Sequence, residues 1–287
     1  MALTSAAAFG TVAILAKLAY AVGMSVPQLL SYRFGLATIG LAVLCRIYGE
    51  NPLAISIRRL VLLATLGTFC YGAQTLLFFT ALVYLPASIV GLLLYMYPTF
   101  VVIAGWLLLH RPIRIATVIA LITSLCGVVL LTGGLRLVVV PALLLAFATP
   151  LAYTVYLLIV ERATNGRSLL ATSTTLLAGG TAFWVVAAAI RGQLGPPTGV
   201  NAWAILFALA IGPSVVAIPL VLKALAAIGS ERFSLVSTFE PVVTVLLAVS
   251  ILGERLQATQ VVGAGLVLGA IIVLQWPRDN LRIRRDR

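Results

Sequence analysis

Long apolar runs separated by short polar segments fill the chain from residue 2 to residue 276. A bilayer core of about 30 Å needs about 20 consecutive apolar residues for each helix that crosses it. Runs of this length predict ten transmembrane helices, and the short connections leave no room for a soluble domain. The predicted helices are Ala2–Val22, Pro27–Cys45, Leu60–Leu82, Ala87–Leu109, Ile113–Thr132, Val138–Val160, Leu169–Ile190, Ala202–Ala226, Phe233–Leu252 and Gln257–Trp276.

Composition places the chain among polytopic membrane proteins. Apolar residues make up 62% of the 287 residues and charged residues 9%, with a mean hydropathy of +1.16. A soluble domain carries about 25% charged residues, so this chain cannot cover a surface that faces water. The net charge of +12 comes from small groups of basic residues between apolar runs, which is unlike a nucleic-acid-binding face. We therefore expect an all-α protein whose partner is the lipid bilayer, with no nucleic-acid partner.

The basic residues also predict the orientation in the membrane. With the N-terminus in the cytoplasm, 13 arginines fall in inside segments, and three, Arg136, Arg191 and Arg255, fall in outside segments. An excess of Lys and Arg in cytoplasmic loops is the usual pattern of membrane proteins. Both termini are therefore predicted to be cytoplasmic, and residues 278–287 form a basic tail suited to anionic lipid.

A proline motif recurs at matching places in the two halves of the chain. Tyr95-Met96-Tyr97-Pro98 lies inside the fourth run and Phe239-Glu240-Pro241 inside the ninth, with the two prolines 143 residues apart. Proline removes a backbone donor, so Pro98 and Pro241 are predicted to break their helices. Five helices per half is an odd number, so the second half must run in the opposite sense. The sequence thus predicts a 5+5 inverted repeat, with residues 1–134 as the first half and 135–277 as the second, and interrupted helices at the binding site.

Glu240 is the only acidic residue predicted deep inside a span. A carboxylate at the bilayer centre costs at least about 2.5–3.5 kcal/mol, so it should face a cavity or a partner. It could recognise a substrate amine or couple transport to protons. It could equally bond backbone groups freed by Pro241 or pair with a nearby base.

Three cations also fall inside predicted spans: Lys17, Arg33 and Lys223. Each lies near a helix end, and we favour snorkelling of the side chain to the headgroups. The other interpretation is that one of them holds a substrate carboxylate.

Aromatic and polar side chains are predicted to gather around a central cavity. Tyr71, Gln74 and Phe78 form one helical stripe at spacings of three and four residues, and mid-span tyrosines fit an interfacial belt poorly. An aromatic pocket with few charges suits a small amphipathic solute. The predicted substrate-binding residues are Tyr71, Gln74, Phe78, Tyr95, Tyr97, Tyr153, Phe239 and Glu240.

Enzymatic chemistry finds little support in the sequence. His110 is the one histidine, and the only aspartates, Asp279 and Asp286, lie in the basic tail. These residues assemble no Ser-His-Asp set, metal cluster or phosphate loop. We expect no enzyme activity, metal or cofactor.

The two halves together resemble the EamA family of the drug/metabolite transporter superfamily. The resemblance lies in Phe79-Thr80-Ala81-Leu82 with the proline 17 residues after Ala81, in the repeat of this pattern from Lys223, and in Gly253-Glu254-Arg255 after the ninth run. The first half departs from the pattern, because His110-Arg111-Pro112 replaces Gly-Glu-Arg. Within the family, Tyr95–Pro98 is similar to the corresponding segment of YddG-type amino-acid exporters.

The resemblance implies ten helices, an inverted repeat and export of small metabolites from the cell across the inner (plasma) membrane by alternating access. Amino acids, aromatic and other neutral ones, are the implied substrates, and a monomer is the simplest assembly. Efflux of drugs or quaternary cations is the alternative, with Glu240 and the tyrosines as an anionic aromatic cage. A membrane-embedded enzyme or a scaffold is a further alternative.

Overall fold

The computed structural model describes residues 2–54, 56–97, 99–100, 103–104, 107, 115–132, 140–164, 168–217, 220, 237 and 239–275. Every element in this part of the chain is helical. Backbone polar groups find no water in a bilayer core, and an apolar chain satisfies them there by forming helices.

The first half contains seven α-helices and one wide π-helical segment in its described residues. They are α1 (Ala2–Gly10), α2 (Val12–Ala21), α3 (Val26–Ile47), α4 (Ile57–Thr65), π1 (Leu66–Tyr71), α5 (Gly72–Tyr84), α6 (Ala87–Leu94) and α7 (Ile115–Thr132).

The second half contains five α-helices and a second π segment in its described residues. They are α8 (Val140–Thr164), α9 (Leu169–Ile190), α10 (Val200–Ala210), π2 (Ile211–Val216), α11 (Phe239–Leu252) and α12 (Ala258–Gln275). Each of the ten predicted runs overlaps with one of these helices or with a contiguous group of them.

Several helices have the length and composition of membrane spans. Four described stretches are long and apolar enough to cross a bilayer: Leu3–Ala21, Val26–Ile47, Ile57–Tyr84 and Leu170–Ile190. Five shorter apolar helices accompany them: Val118–Thr132, Val140–Tyr156, Val200–Val216, Phe239–Leu252 and Ala258–Val273.

In the described residues, interruptions fall inside four of the runs. A turn at Thr11 separates α1 from α2, and π1 and π2 widen the third and eighth runs. Near the first predicted break, α6 ends at Leu94 and a turn follows; Pro98 itself lies outside the described residues. Pro241 is the third residue of α11, and the break predicted there stays a prediction because residues 221–236 are outside the described part.

Equivalent helices recur with one constant offset. From α3 to α9 the first and last residues both shift by 143 positions, and from α7 to α12 they do so again. The starts of α4 and α10 differ by the same number. Ser25 and Ser168, also 143 apart, each cap a helix by accepting a backbone N–H, from Gln28 at 3.3 Å and from Ala171 at 3.2 Å.

Helices that are separated by this offset also pack against each other. The most extensive contacts join α7 to α12 and α3 to α9, which are equivalent helices of the two halves. Cys45 Sγ near the end of α3 lies 3.3 Å from Thr174 Oγ1 near the start of α9. Ser25, just before α3, donates to Gln193, just after α9, at 2.9 Å. Residue numbers rise along one helix as they fall along the other, so α3 and α9 run antiparallel.

Glycine permits the closest of these contacts. A Cβ added to Gly127 of α7 would lie 2.8 Å from the carbonyl oxygen of Gly263 of α12, and one added to Gly263 would lie 2.6 Å from that of Gly127. Small residues let helix backbones approach closely in membrane proteins. In α12 this close contact involves Gly263, whereas a Cβ added to Gly265 or Gly269 would meet nothing within 4 Å.

Candidate functional site

A cavity of about 380 Å³ lies between helices of both halves. This volume is within the range of about 300–1,000 Å³ that is typical of small-molecule sites. Its walls come from α1, α2, α3, π1, α5, α6, α8, α9, π2 and α11. They are lined by Ser5, Ala6, Phe9, Val12, Ala13, Arg33, Tyr71, Gln74, Thr75, Phe78, Phe79, Gly91, Leu94, Tyr95, Tyr97, Tyr153, Tyr156, Ser173, Leu177, Pro213, Ser214, Ser237, Glu240 and Thr244.

Seven of the eight predicted binding residues line this one cavity. These residues come from different helices. Spacing along a single helix predicts which of its residues share a face, but not which helices meet. The seven are Tyr71, Gln74, Phe78, Tyr95, Tyr97, Tyr153 and Glu240.

Phe239 is the exception and corrects the prediction. Its side chain is 42% exposed on the outer surface of the bundle, and it does not line the cavity. Successive residues on an α-helix point about 100° apart. Because Glu240 faces the cavity, its neighbour Phe239 is turned away from it.

An unbroken row of aromatic rings forms one wall. Tyr71 stacks on Tyr156 with 5.1 Å between centroids, and Tyr156 stacks on Tyr153 at 6.0 Å. Tyr153 meets Tyr97 edge-on at 5.0 Å, and Tyr97 meets Tyr95 at 5.9 Å. Contacts of this geometry each stabilise by about 0.5–1.5 kcal/mol beyond burial. The five tyrosines therefore support each other as a rigid wall.

Glu240 stands at one end of this row. The Tyr95 hydroxyl lies close enough to interact with its carboxylate, as do Tyr97 and Tyr153. Helix α1 closes the cavity behind it, since the Thr244 hydroxyl donates to the Gly10 carbonyl at 3.0 Å. The carboxylate thus faces the cavity among hydroxyls, not lipid.

Arg33 stands beside the other end and overturns the favoured snorkelling interpretation for this residue. Its side chain is only 5% exposed and lines the cavity. Its guanidinium carbon lies 5.8 Å from the Phe34 ring centroid and 5.2 Å from that of Phe79. Lys17 is half-buried and interacts with the charge of Glu254, and Lys223 lies outside the described residues.

A hydrogen bond connects the chain near Tyr97 to the sixth run. The Thr154 hydroxyl contacts the carbonyl oxygens of Tyr97, at 3.2 Å, and of Pro150, at 2.8 Å. Pro150 lies inside α8, where proline removes one helical hydrogen bond. Thr154 therefore connects the tyrosine wall to α8 next to its internal proline.

Sequence reasoning missed several lining residues. Thr244 could have been found, because it lies four residues from Glu240 on the same helix face. The small side chains of α1, such as Ser5 and Ala6, gave no signal. Among the described residues, no group of three His, Cys, Asp or Glu side chains could hold a metal ion.

Comparison with known proteins agrees with this architecture. The EamA-like transporter family model matches the chain twice, over residues 1–133 and over residues 140–276. A solved structure described as "Crystal structure of protein" is 21% identical, covers 95% of this chain and 94% of its own, and gives a TM-score of 0.66. At that identity the likeness concerns the fold alone, and no curated protein sequence matches the chain. With both halves matched by one family model, the chain belongs to the EamA-like transporter family and is a multi-pass membrane transporter of the drug/metabolite transporter superfamily.

Proposed function

We propose that this transporter exports amino acids, aromatic and other neutral ones, and related small metabolites. The observation that carries the proposal is the cavity itself, in which five tyrosines, Gln74 and Glu240 meet. Aromatic faces bind apolar side chains, and a few polar groups fix the orientation of a solute. Glu240 with its Tyr95 partner recognises an amine, while Gln74 offers both a donor and an acceptor.

Alternating access between two inverted five-helix halves is the mechanism that we propose. The constant offset of 143 residues and the antiparallel packing of α3 against α9 support it. The cavity receives residues from both halves, so rocking one half against the other would open it to each side in turn. We place the division between residues 134 and 135, both termini and the basic tail in the cytoplasm, and the protein in the inner membrane.

Efflux of quaternary cations is the second candidate, and one observation favours it. Glu240 is surrounded by Tyr95, Tyr97 and Tyr153. A carboxylate among aromatic rings is suited to a cation that carries no hydrogen-bond donors.

Transport by the purified protein in liposomes separates the candidates. We expect labelled phenylalanine and threonine to accumulate, and methyl viologen not to. Accumulation of methyl viologen alone would favour the cation exporter, and accumulation of none of the three would contradict both candidate substrate classes.

Glu240→Gln tests the site within the same assay. Losing a charged partner of the substrate amine lowers the transport rate about tenfold or more. Glu50→Gln is the matched control, because Glu50 lies outside the cavity and accepts a hydrogen bond from Ser168. An unchanged rate in Glu240→Gln would remove this carboxylate from substrate recognition.

A further inference from the structure

Two largely buried side chains of the cavity form no hydrogen bond or ion pair within the part of the chain that the structure describes. Arg33 is 5% exposed and Gln74 is 6% exposed. Neither makes a hydrogen bond or an ion pair with another described residue, and both line the cavity. Glu240, in contrast, interacts with the hydroxyl of Tyr95.

The guanidinium of Arg33 is held in place without using its donors. It lies against the rings of Phe34 and Phe79, and the Tyr20 hydroxyl donates to the Phe79 carbonyl at 2.9 Å. Contacts with aromatic faces leave the N–H groups free, and guanidinium offers five of them in a planar fork. That fork matches a carboxylate in two parallel hydrogen bonds.

No carboxylate in the described part of the chain neutralises this cation. Arg33 interacts electrostatically with Tyr71 and Tyr20, whereas Glu240 interacts with Tyr95, Tyr97 and Tyr153. The row of tyrosines lies between the two charges. A buried cation is unfavourable without an anion nearby, so a bound solute that carries one would stabilise the cavity.

Gln74 is placed to complete such a site. It lies one helical turn beyond Tyr71, which is the neighbour of Arg33, and its amide faces the same space. Its NH₂ group can donate to the second oxygen of an anion that Arg33 already holds.

We propose that Arg33 and Gln74 form an anion subsite that binds the carboxylate of the transported solute, separate from Glu240. The apolar or aromatic body of the solute then lies along Tyr71 and Tyr156. This inference rests on the proposed transport function and narrows its substrate class to solutes that carry a carboxylate. Cations without an anionic group would leave Arg33 unpaired and bind less well.

The test compares phenylalanine with phenethylamine, which lacks only the carboxylate. In liposomes, Arg33→Gln lowers the phenylalanine rate about tenfold or more and leaves the phenethylamine rate within about twofold. Arg33→Lys gives an intermediate loss because it keeps the charge and loses the fork. Gln74→Leu lowers the phenylalanine rate by a smaller factor and does not lower the phenethylamine rate. Arg191→Gln, at an exposed turn, is the matched control.

Equal loss of both solutes in Arg33→Gln would overturn the proposal, since a structural defect does not distinguish them. If the variants fail to fold, the proposal is tested on the wild-type protein, by measuring its melting temperature in detergent with each solute added. We expect 3-phenylpropanoate to raise the melting temperature more than phenethylamine does, and the reverse order would overturn the subsite. A wild-type protein that moves no amino acid but is stabilised by 3-phenylpropanoate would contradict the proposed function and not the subsite.

Discussion

The hydroxyl oxygens of Thr38 and Thr181 lie 2.9 Å apart, although the two residues are 143 positions apart in the chain. This separation is also the offset between α3 and α9, the helices that carry them. In the inverted repeat that we propose, each threonine would contact its own equivalent in the other half.

The Thr38–Thr181 hydrogen bond should contribute modestly to stability. In a double-mutant cycle of Thr38→Val and Thr181→Val, we expect a coupling free energy of about 0.6 kcal/mol, which is typical of hydrogen bonds between membrane helices. The measurement is the free energy of unfolding in mixed detergent micelles. Thr4→Val, at an exposed position, serves as the control, and perfectly additive effects of the two variants would contradict the prediction.

Glu254 should be important for stability through a contact between the halves. Its carboxylate accepts the backbone N–H groups of Ala87, at 2.5 Å, and Ser88, at 3.1 Å, and the Ser88 hydroxyl. It thereby caps α6 from the other end of the sequence, and losing a helix cap costs about 0.5–2 kcal/mol. Glu254→Ala should lower the free energy of unfolding by about that amount.

Arg255→Gln is the matched control for Glu254→Ala, because Arg255 is adjacent and exposed. We expect it to leave the thermal midpoint within about 1 °C, since isolated surface charges contribute little. Equal thermal midpoints for Glu254→Ala and Arg255→Gln would contradict the capping role of Glu254.

The glycine contact between α7 and α12 predicts a sharp contrast between neighbouring positions. Gly263→Ala forces a Cβ to within 2.6 Å of the Gly127 carbonyl oxygen and should destabilise the protein by about 1–3 kcal/mol. Gly265→Ala, two residues along the same helix, meets nothing within 4 Å and should be neutral or slightly stabilising. The measurement is the free energy of unfolding of the two variants in mixed detergent micelles. Equal values for Gly263→Ala and Gly265→Ala would contradict the prediction.

The inverted arrangement predicts opposite labelling of two equivalent loop positions. Asn51→Cys and Leu194→Cys lie 143 residues apart in the connections after α3 and α9. We expect an impermeant maleimide to reach position 194 from outside the cell and position 51 only from the cytoplasm. The native Cys45, Cys70 and Cys126 all lie within helical spans, away from such a reagent. Labelling of both introduced cysteines from one side would rule out the inversion.

Periodic features of the sequence predicted the fold and part of the site. Apolar run length follows bilayer thickness, and the ends of α3, α7 and α9 lie within a few residues of the predicted bounds. The stripe of Tyr71, Gln74 and Phe78 follows from helical spacing, and all three residues line the cavity.

Features set by tertiary contacts could not be predicted in this way. Whether Arg33 reaches the headgroups or the interior depends on the rings of Phe34 and Phe79, and Phe79 belongs to another helix. Which of Phe239 and Glu240 faces inward depends on the rotation of α11, which a motif alone does not determine. The capping of α6 by Glu254 joins residues 167 positions apart.

The wide turns at Leu66–Tyr71 and Ile211–Val216 have a consequence for how this protein could acquire new solutes. A π turn accommodates one residue more than an α turn, so a π segment can take up a one-residue insertion or deletion without turning the helix beyond it. Deleting a residue within Leu66–Tyr71 would return that stretch to α geometry and leave Gln74 and Phe78 on the side of the cavity. Insertions and deletions, which most helices tolerate poorly, would here exchange side chains next to the transported molecule and keep its other contacts in place.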